Sequence, residues 1–155
     1  MSYGGVLPYA EHKGQLWLLL GKELRIANWS GSEKWSPFGG GVDPGESLET
    51  AAVREGYEES MGLLGSQASM RRRGQRWPHQ GGLTLLLPLQ YDRRLPQYFR
   101  QFFNYAKRCR GQTCPEGWYE KTHIKWVPLD RVHTLDLRPE FRRTLRSLRE
   151  RLRPD

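Results

Sequence analysis

Three consecutive glycines, Gly39-Gly40-Gly41, run into a stretch crowded with acids, GGGVDPGESLETAAVREGYEE over residues 39–59. No other part of the chain restricts its fold as much. Asp43-Pro44-Gly45-Glu46 carries the marks of a helix start: a capping carboxylate, a proline at the first position and a glutamate three residues later. The pattern predicts a helix over Glu46–Met61, with Gly62 as its stop. Leu48, Ala51, Ala52 and Gly56 share one side of that helix and are small apart from Leu48, as suits packing against a sheet.

The sheet is legible on either side. Tyr3–Tyr9 and Gln15–Leu20 read as strands, joined by a turn at Gly14. Leu24–Trp29 reads as a third. Gly82–Tyr91, centred on LTLLLPL, reads as a strand covered on both faces, with Pro88 marking its end or a bulge. Lys121–Val127 completes the set. Residues 71–76, RRRGQR, read as an exposed loop. Leu95, Tyr98, Phe99, Phe102, Phe103 and Ala106 have helical spacing, and Phe141, Leu145, Leu148 and Leu152 mark a C-terminal helix. At 155 residues, one domain spanning 1–155 with a mixed sheet covered by helices is expected.

The acids need an explanation, because the chain has 25 Lys and Arg against 17 Asp and Glu. Glu55, Glu58 and Glu59, at i, i+3 and i+4, share one turn and repel one another. A hard divalent cation, Mg2+ or Mn2+, between their oxygens would relieve this. A solvent-facing acidic helix is the alternative; it accounts for Arg54 and Glu58 as an i,i+4 pair but not for the attached glycines. Those glycines offer N–H and C=O groups to a phosphate or a metal without obstruction. Arg54 can pair with Glu58 or reach back to Glu46.

Gly40, Glu46 and Arg54-Glu55-x-x-Glu58-Glu59 stand at the spacing of the Nudix box, G-x5-E-x7-R-E-U-x-E-E-x-G-U, and the chain resembles that family. Two residues depart from it: Gly56 replaces an aliphatic residue, and Met61 is an extra residue before Gly62. Gly4-Gly5-Val6-Leu7, Lys34–Gly40 and Ile124–Leu129 resemble the family's first strand, its approach to the box and its last strand. The resemblance implies an α/β/α sandwich and a metal-dependent hydrolase that cleaves the diphosphate linkage of a nucleoside diphosphate derivative, with a Nudix-fold RNA-binding module without catalysis as the alternative. It also implies Glu55 and Glu59 as principal metal ligands, Glu58 assisting, the Gly40 carbonyl as a further ligand, and Arg54 orienting the carboxylates.

The general base is open between Glu120, Glu116 and His123. Trp35 and Phe38, flanking the approach to Gly39, Gly40 and Gly41, either stack on a substrate base or pack the core. The expected partner is a phosphorylated small molecule or nucleotide: a free nucleotide, a nucleotide sugar, a dinucleoside polyphosphate, an inositol pyrophosphate or capped RNA. The net charge of +8 and the arginines at 71, 72, 73 and 76 suit RNA contact or a solvated surface. No apolar run reaches membrane-spanning length and no secretion signal is expected. Cys109 and Cys114 read as free thiols in a reducing compartment, cytoplasmic or nuclear, with half a zinc site including His123 the alternative. Oligomeric state is not legible.

Overall fold

The computed structural model describes residues 2–109 and 118–152. Cys114 and Glu116 lie outside the described residues, and with them the zinc reading and one candidate base.

A seven-stranded mixed sheet is built around β1 (Tyr3–His12). A two-residue turn, Lys13 and Gly14 with φ of 52° and 75°, returns the chain into β2 (Gln15–Glu23). Both residues left-handed is the type I′ geometry that matches strand twist. β1 and β2 pair only from Tyr9↔Leu18 to His12↔Gln15 and then part. β3 (Trp35–Ser36) and β4 (Phe38–Gly41) fill the gap: β3 pairs antiparallel with β2, and β4 pairs antiparallel with the first half of β1. On its other edge β1 runs parallel to β6 (Gly82–Pro88), which pairs with β5 (Gln75–His79). β7 (Lys121–Pro128) closes the far side against β2.

Both faces of the sheet are covered, so its strands read as unbroken apolar runs. Val6, Leu19, Phe38, Leu83, Leu85 and Leu87 face α1 (Leu48–Glu59), α2 (Gln67–Arg73) and α3 (Leu95–Cys109) through Ala52, Val53, Met70, Phe99 and Phe103. Leu7, Leu18, Leu20, Leu86 and Val127 meet Val132 of the 3-10 turn Leu129–Thr134, Phe141 of α4 (Pro139–Arg142), and Leu145 and Leu148 of α5 (Leu145–Arg151). This is the expected α/β/α sandwich.

Several expectations are corrected. Residues 24–34 form no strand: Asn28 is left-handed at φ 64°, and Trp29 and Ser32 donate backward to the carbonyls of Ile26 and Trp29. Both edges of β2 are already occupied there. Residues 71–73 end α2, which Ser66 caps by accepting from Ser69 N–H, and Gln75 opens β5. Neither element was legible, because each buries a single large residue, Met70 or Trp77. The strand expected to Tyr91 stops at Pro88, and the C-terminal helix is divided at Arg143-Thr144.

The helix carrying the acids starts at Leu48 rather than Glu46. Ser47 is its cap, accepting from Thr50 N–H, while Gly45 is left-handed in the preceding turn. At its other end Met61 N–H donates to Glu58 O and Gly62 N–H to Tyr57 O, a Schellman closure. Met61, at φ 55°, takes the first left-handed position after the helix, usually given to glycine, and Gly62 follows it at φ 80°. Its side chain is buried in the core, which offsets a backbone cost of roughly 1–2 kcal/mol.

Candidate active site

The acids sit where β1 and β2 part. α1 lies on β1 with almost nothing between them: a Cβ on Gly4 would be 2.7 Å from Ala52 N, and one on Gly56 2.7 Å from Val6 Cγ2. Gly56 therefore stands in place of the family's aliphatic residue because Val6 fills that space. The close approach sets the last turn of α1 against β4. Glu59, 4% exposed, accepts from Gly39 N–H at 2.8 Å. The Glu55 carboxylate lies over Gly40, where an added Cβ would be 2.8 Å from its Oε1. Gly41 is exposed, and its carbonyl accepts from Arg54 at 3.2 Å.

Arg54 ties the helix to the loop before it. Its guanidinium donates to both oxygens of Glu46, at 2.7 and 2.9 Å, to Glu55 at 3.1 Å and to Glu58 at 3.4 Å. The two partners foreseen for it are thus held at once. The Arg54 hydrogen bonds hold the Glu46 carboxyl down at about 2.

One oxygen each from Glu55, Glu59 and Glu120 come within 4.8 Å of one another. Glu120 precedes β7 and is carried to the site by Leu24 N–H, which donates to its carbonyl at 2.9 Å. Burial pushes the Glu55 carboxyl up to about 7, with the Glu120 and Glu58 charges adding to it and Arg54 opposing. Glu59 is raised well above the usual carboxylate range, first by burial and then by Glu23 and Glu55, against the pull of Lys121. Three crowded hard oxygens, two of them on carboxyls that burial raises, fit a divalent cation. Glu58 stands outside this trio. His123 is on the exposed side of β7, its Nδ1 3.0 Å from Thr122 Oγ1, and does not line the cleft.

The substrate expectations at the approach are corrected for two aromatics. Phe38 is fully buried and packs the core. Trp35 packs on the opposite face of the sheet, with Lys125 Nζ 5.1 Å from its ring centre. Gly39 and Gly40 do line a cleft of about 330 Å³, together with Glu23, Leu24, Ile26, Trp29, Glu59, Glu120 and Arg138.

Several of these neighbours have no local signal in the sequence. Behind the cleft Lys121, with a fully buried side chain, donates to Glu23 Oε1 and Ser36 Oγ at 2.6 Å each and to Gly21 O at 3.4 Å. Ser36 also donates to Glu23 at 3.0 Å. All three ammonium hydrogens have acceptors, which a buried lysine requires. Arg138 Nη1 stands 3.5 Å from Glu23.

A family model described as NUDIX domain matches residues 4–148. No curated protein sequence matches the chain. Among solved structures, the chain is similar to a Nudix hydrolase from M. smegmatis, RenU, at 22% identity and TM-score 0.60, over 96% of this chain and 83% of that one. A binary complex of a C. elegans Ap4A hydrolase aligns at 19% identity and TM-score 0.59, over 97% and 96%. The NUDIX domain of Shewanella oneidensis NrtR complexed with ADP ribose aligns at 19% identity and TM-score 0.55, over 98% and 88%. At these identities the likeness establishes the fold.

Proposed function

The chain belongs to the NUDIX domain family, and from that premise we propose that it is a metal-dependent pyrophosphohydrolase acting on a nucleoside diphosphate derivative. The observation that carries this is the convergence of Glu55, Glu59 and Glu120 within 4.8 Å, with two of the three carboxylates driven toward protonation. Glu55 and Glu59 would hold Mg2+ or Mn2+, with the Gly40 carbonyl on β4 and Glu58 on the same helical turn as further oxygens. Bound there, the ion would neutralise the two phosphates that otherwise repel an incoming hydroxide.

The chain's own groups supply the rest. Arg54 fixes Glu55 and Glu58 in place through its bonds to Glu46 and Gly41. A water attacks one phosphorus of the diphosphate, the bridging P–O bond breaks, and the leaving phosphate keeps its electron pair. Glu120 takes the proton of the attacking water. It is favoured over His123 because its carboxylate reaches the trio and the His123 ring does not line the cleft.

That two of the similar structures are an Ap4A hydrolase and a NUDIX domain complexed with ADP ribose supports nucleotide-linked diphosphates as the class. RNA contact is a further part of this reading. Arg71 and Arg76 share Glu49, and Arg151 donates to Arg76 O, so the arginines of α2, β5 and α5 meet on one face.

Calorimetry with Mg2+ and Mn2+, followed by assay of phosphorylated substrates with product identification, tests the proposal. Glu59→Gln is expected to lower turnover by roughly 10²-fold or more while circular dichroism stays unchanged. Undiminished turnover in that variant, or no cation uptake by the wild type, would overturn it.

A further inference from the structure

Two of the three converging carboxylates are each gripped by a donor: Arg54 holds Glu55, and Gly39 N–H holds Glu59. Glu120 has no such grip. It is exposed, and among the described residues no ion pair holds its carboxylate. Its place is set by the backbone on either side of it, and that backbone departs from regular strand.

β7 carries a bulge just after Glu120. Lys22 faces His123 and Glu23 faces Lys121, so Thr122 has no counterpart on β2. Ile124 belongs to the face covered by α1, α2 and α3, and strict alternation from it would send Lys121 to the opposite face. The extra residue turns Lys121 back. Its side chain runs beside Gly21, where an added Cβ would be 2.8 Å from Lys121 Cδ, and its Nζ lies 5.9 Å from the centre of the Phe38 ring. The bulge thereby aims the entry to β7, and with it Glu120, at the acids.

The residues flanking this entry are both fastened to α3. Tyr119 is left-handed at φ 74°, a conformation rare for a bulky side chain. Its hydroxyl donates to Ala106 O at 2.6 Å, and its ring meets Phe103 edge-on at 5.6 Å between centres. On the other side the Thr122 carbonyl accepts from Arg100 Nη1 at 2.8 Å. The Arg100 guanidinium carbon lies 5.0 Å from the centre of the Phe103 ring, so one aromatic orients both fastenings. Arg100 itself does not line the cleft.

We propose that Arg100 is a positioning residue of the active site: by holding the Thr122 bulge against α3 it fixes Glu120 beside Glu55 and Glu59, without touching substrate or ion. The inference rests on the hydrolase reading above for what Glu120 does there. It makes α3 the element that completes the acid trio begun by α1.

A double-mutant cycle tests this. Wild type, Arg100→Met, Glu120→Gln and the double variant are titrated with Mn2+ by calorimetry, with urea midpoints read alongside. Methionine keeps a stem over Phe103 and removes only the donors. Arg100→Met is expected to weaken Mn2+ binding about tenfold, as loss of support to a metal-site carboxylate does. In the Glu120→Gln background it should have no further effect, because the two changes act through one group. A merely structural loss would instead lower affinity equally in both backgrounds. In turnover, Arg100→Met should lower kcat about tenfold with KM preserved. Arg100→Lys should recover most of it, since the bond to Thr122 O is a single one that an ammonium can make. Additive losses in the double variant, or Mn2+ affinity unmoved by Arg100→Met, overturn the positioning role. Absence of turnover in the wild type, with the Mn2+ cycle as expected, would overturn the hydrolase reading and leave the positioning role standing.

Discussion

Replacing Glu55 by glutamine should make the protein more stable without metal while removing its response to metal. The Glu55 side chain is 12% exposed, and its carboxyl is raised from 4.5 to about 7. A carboxyl raised in the folded state binds its proton more tightly there than in the unfolded chain. Its contribution is therefore neutral below the unfolded value of 4.5, grows steadily more unfavourable as pH rises to 7, and is constant above that. At pH 8 the accumulated cost is about 3 kcal/mol. The glutamine amide still accepts from Arg54, and the charge-assisted part of that bond is already contained in the net rise to about 7. A gain of about 3 kcal/mol at pH 8 is expected, falling to nothing near pH 4.5. Urea denaturation in EDTA at both pH values measures it. Adding Mn2+ to a hundredfold excess over its Kd should then stabilise the wild type by about 3 kcal/mol and Glu55→Gln by much less. If variant and wild type keep the same difference at both pH values in EDTA, or the variant is the less stable at pH 8, the account of Glu55 as a cation-seeking carboxylate is wrong.

Two other perturbations probe what surrounds the site. Gly56→Val would drive a side chain into Val6 Cγ2 and Met70 Sδ, and should destabilise the fold by about 1–3 kcal/mol by overpacking; an unchanged denaturation midpoint would show that α1 and β1 are not in the contact described. Replacing Arg71, Arg72 and Arg73 together by serine should weaken RNA binding and flatten its dependence on salt, by a slope of up to about 3 if each arginine meets a phosphate. Their exposed pairings leave the folding midpoint nearly unmoved, and a constant salt slope would mark them as surface alone.

The part of the site on α1 was readable because helical spacing turns a short string into a known arrangement: Glu55 and Glu59 are one turn apart wherever that helix lies. Arg54 was equally legible, its reach to Glu46 and Glu58 following from the same geometry and the loop before it. Beyond the helix, legibility falls with sequence separation. Lys121 meets Glu23 across 98 residues and Ser36 across 85, and a lysine opening a strand has no local mark of burial. Leu24 and Ile26 misled for a related reason. Their spacing is that of a half-buried strand, but no strand edge was left for them to join, and only the completed sheet shows that. Trp35 and Phe38 allowed either stacking or packing until the sheet put them on its two faces.

The buried Lys121 ammonium also bears on when the molecule becomes competent. Its own strand, β7, comes near the end of the chain, whereas its acceptors Gly21, Glu23 and Ser36 belong to the first quarter. During synthesis the whole glycine-and-acid segment leaves the ribosome some sixty residues ahead of Lys121 and Glu120. Until those two arrive, Glu23 and Glu59 face each other without their shared cation and the third oxygen of the trio is missing. A nascent or truncated chain bearing the full motif thus lacks both groups, and the acid trio is complete only with the last strand to join the sheet.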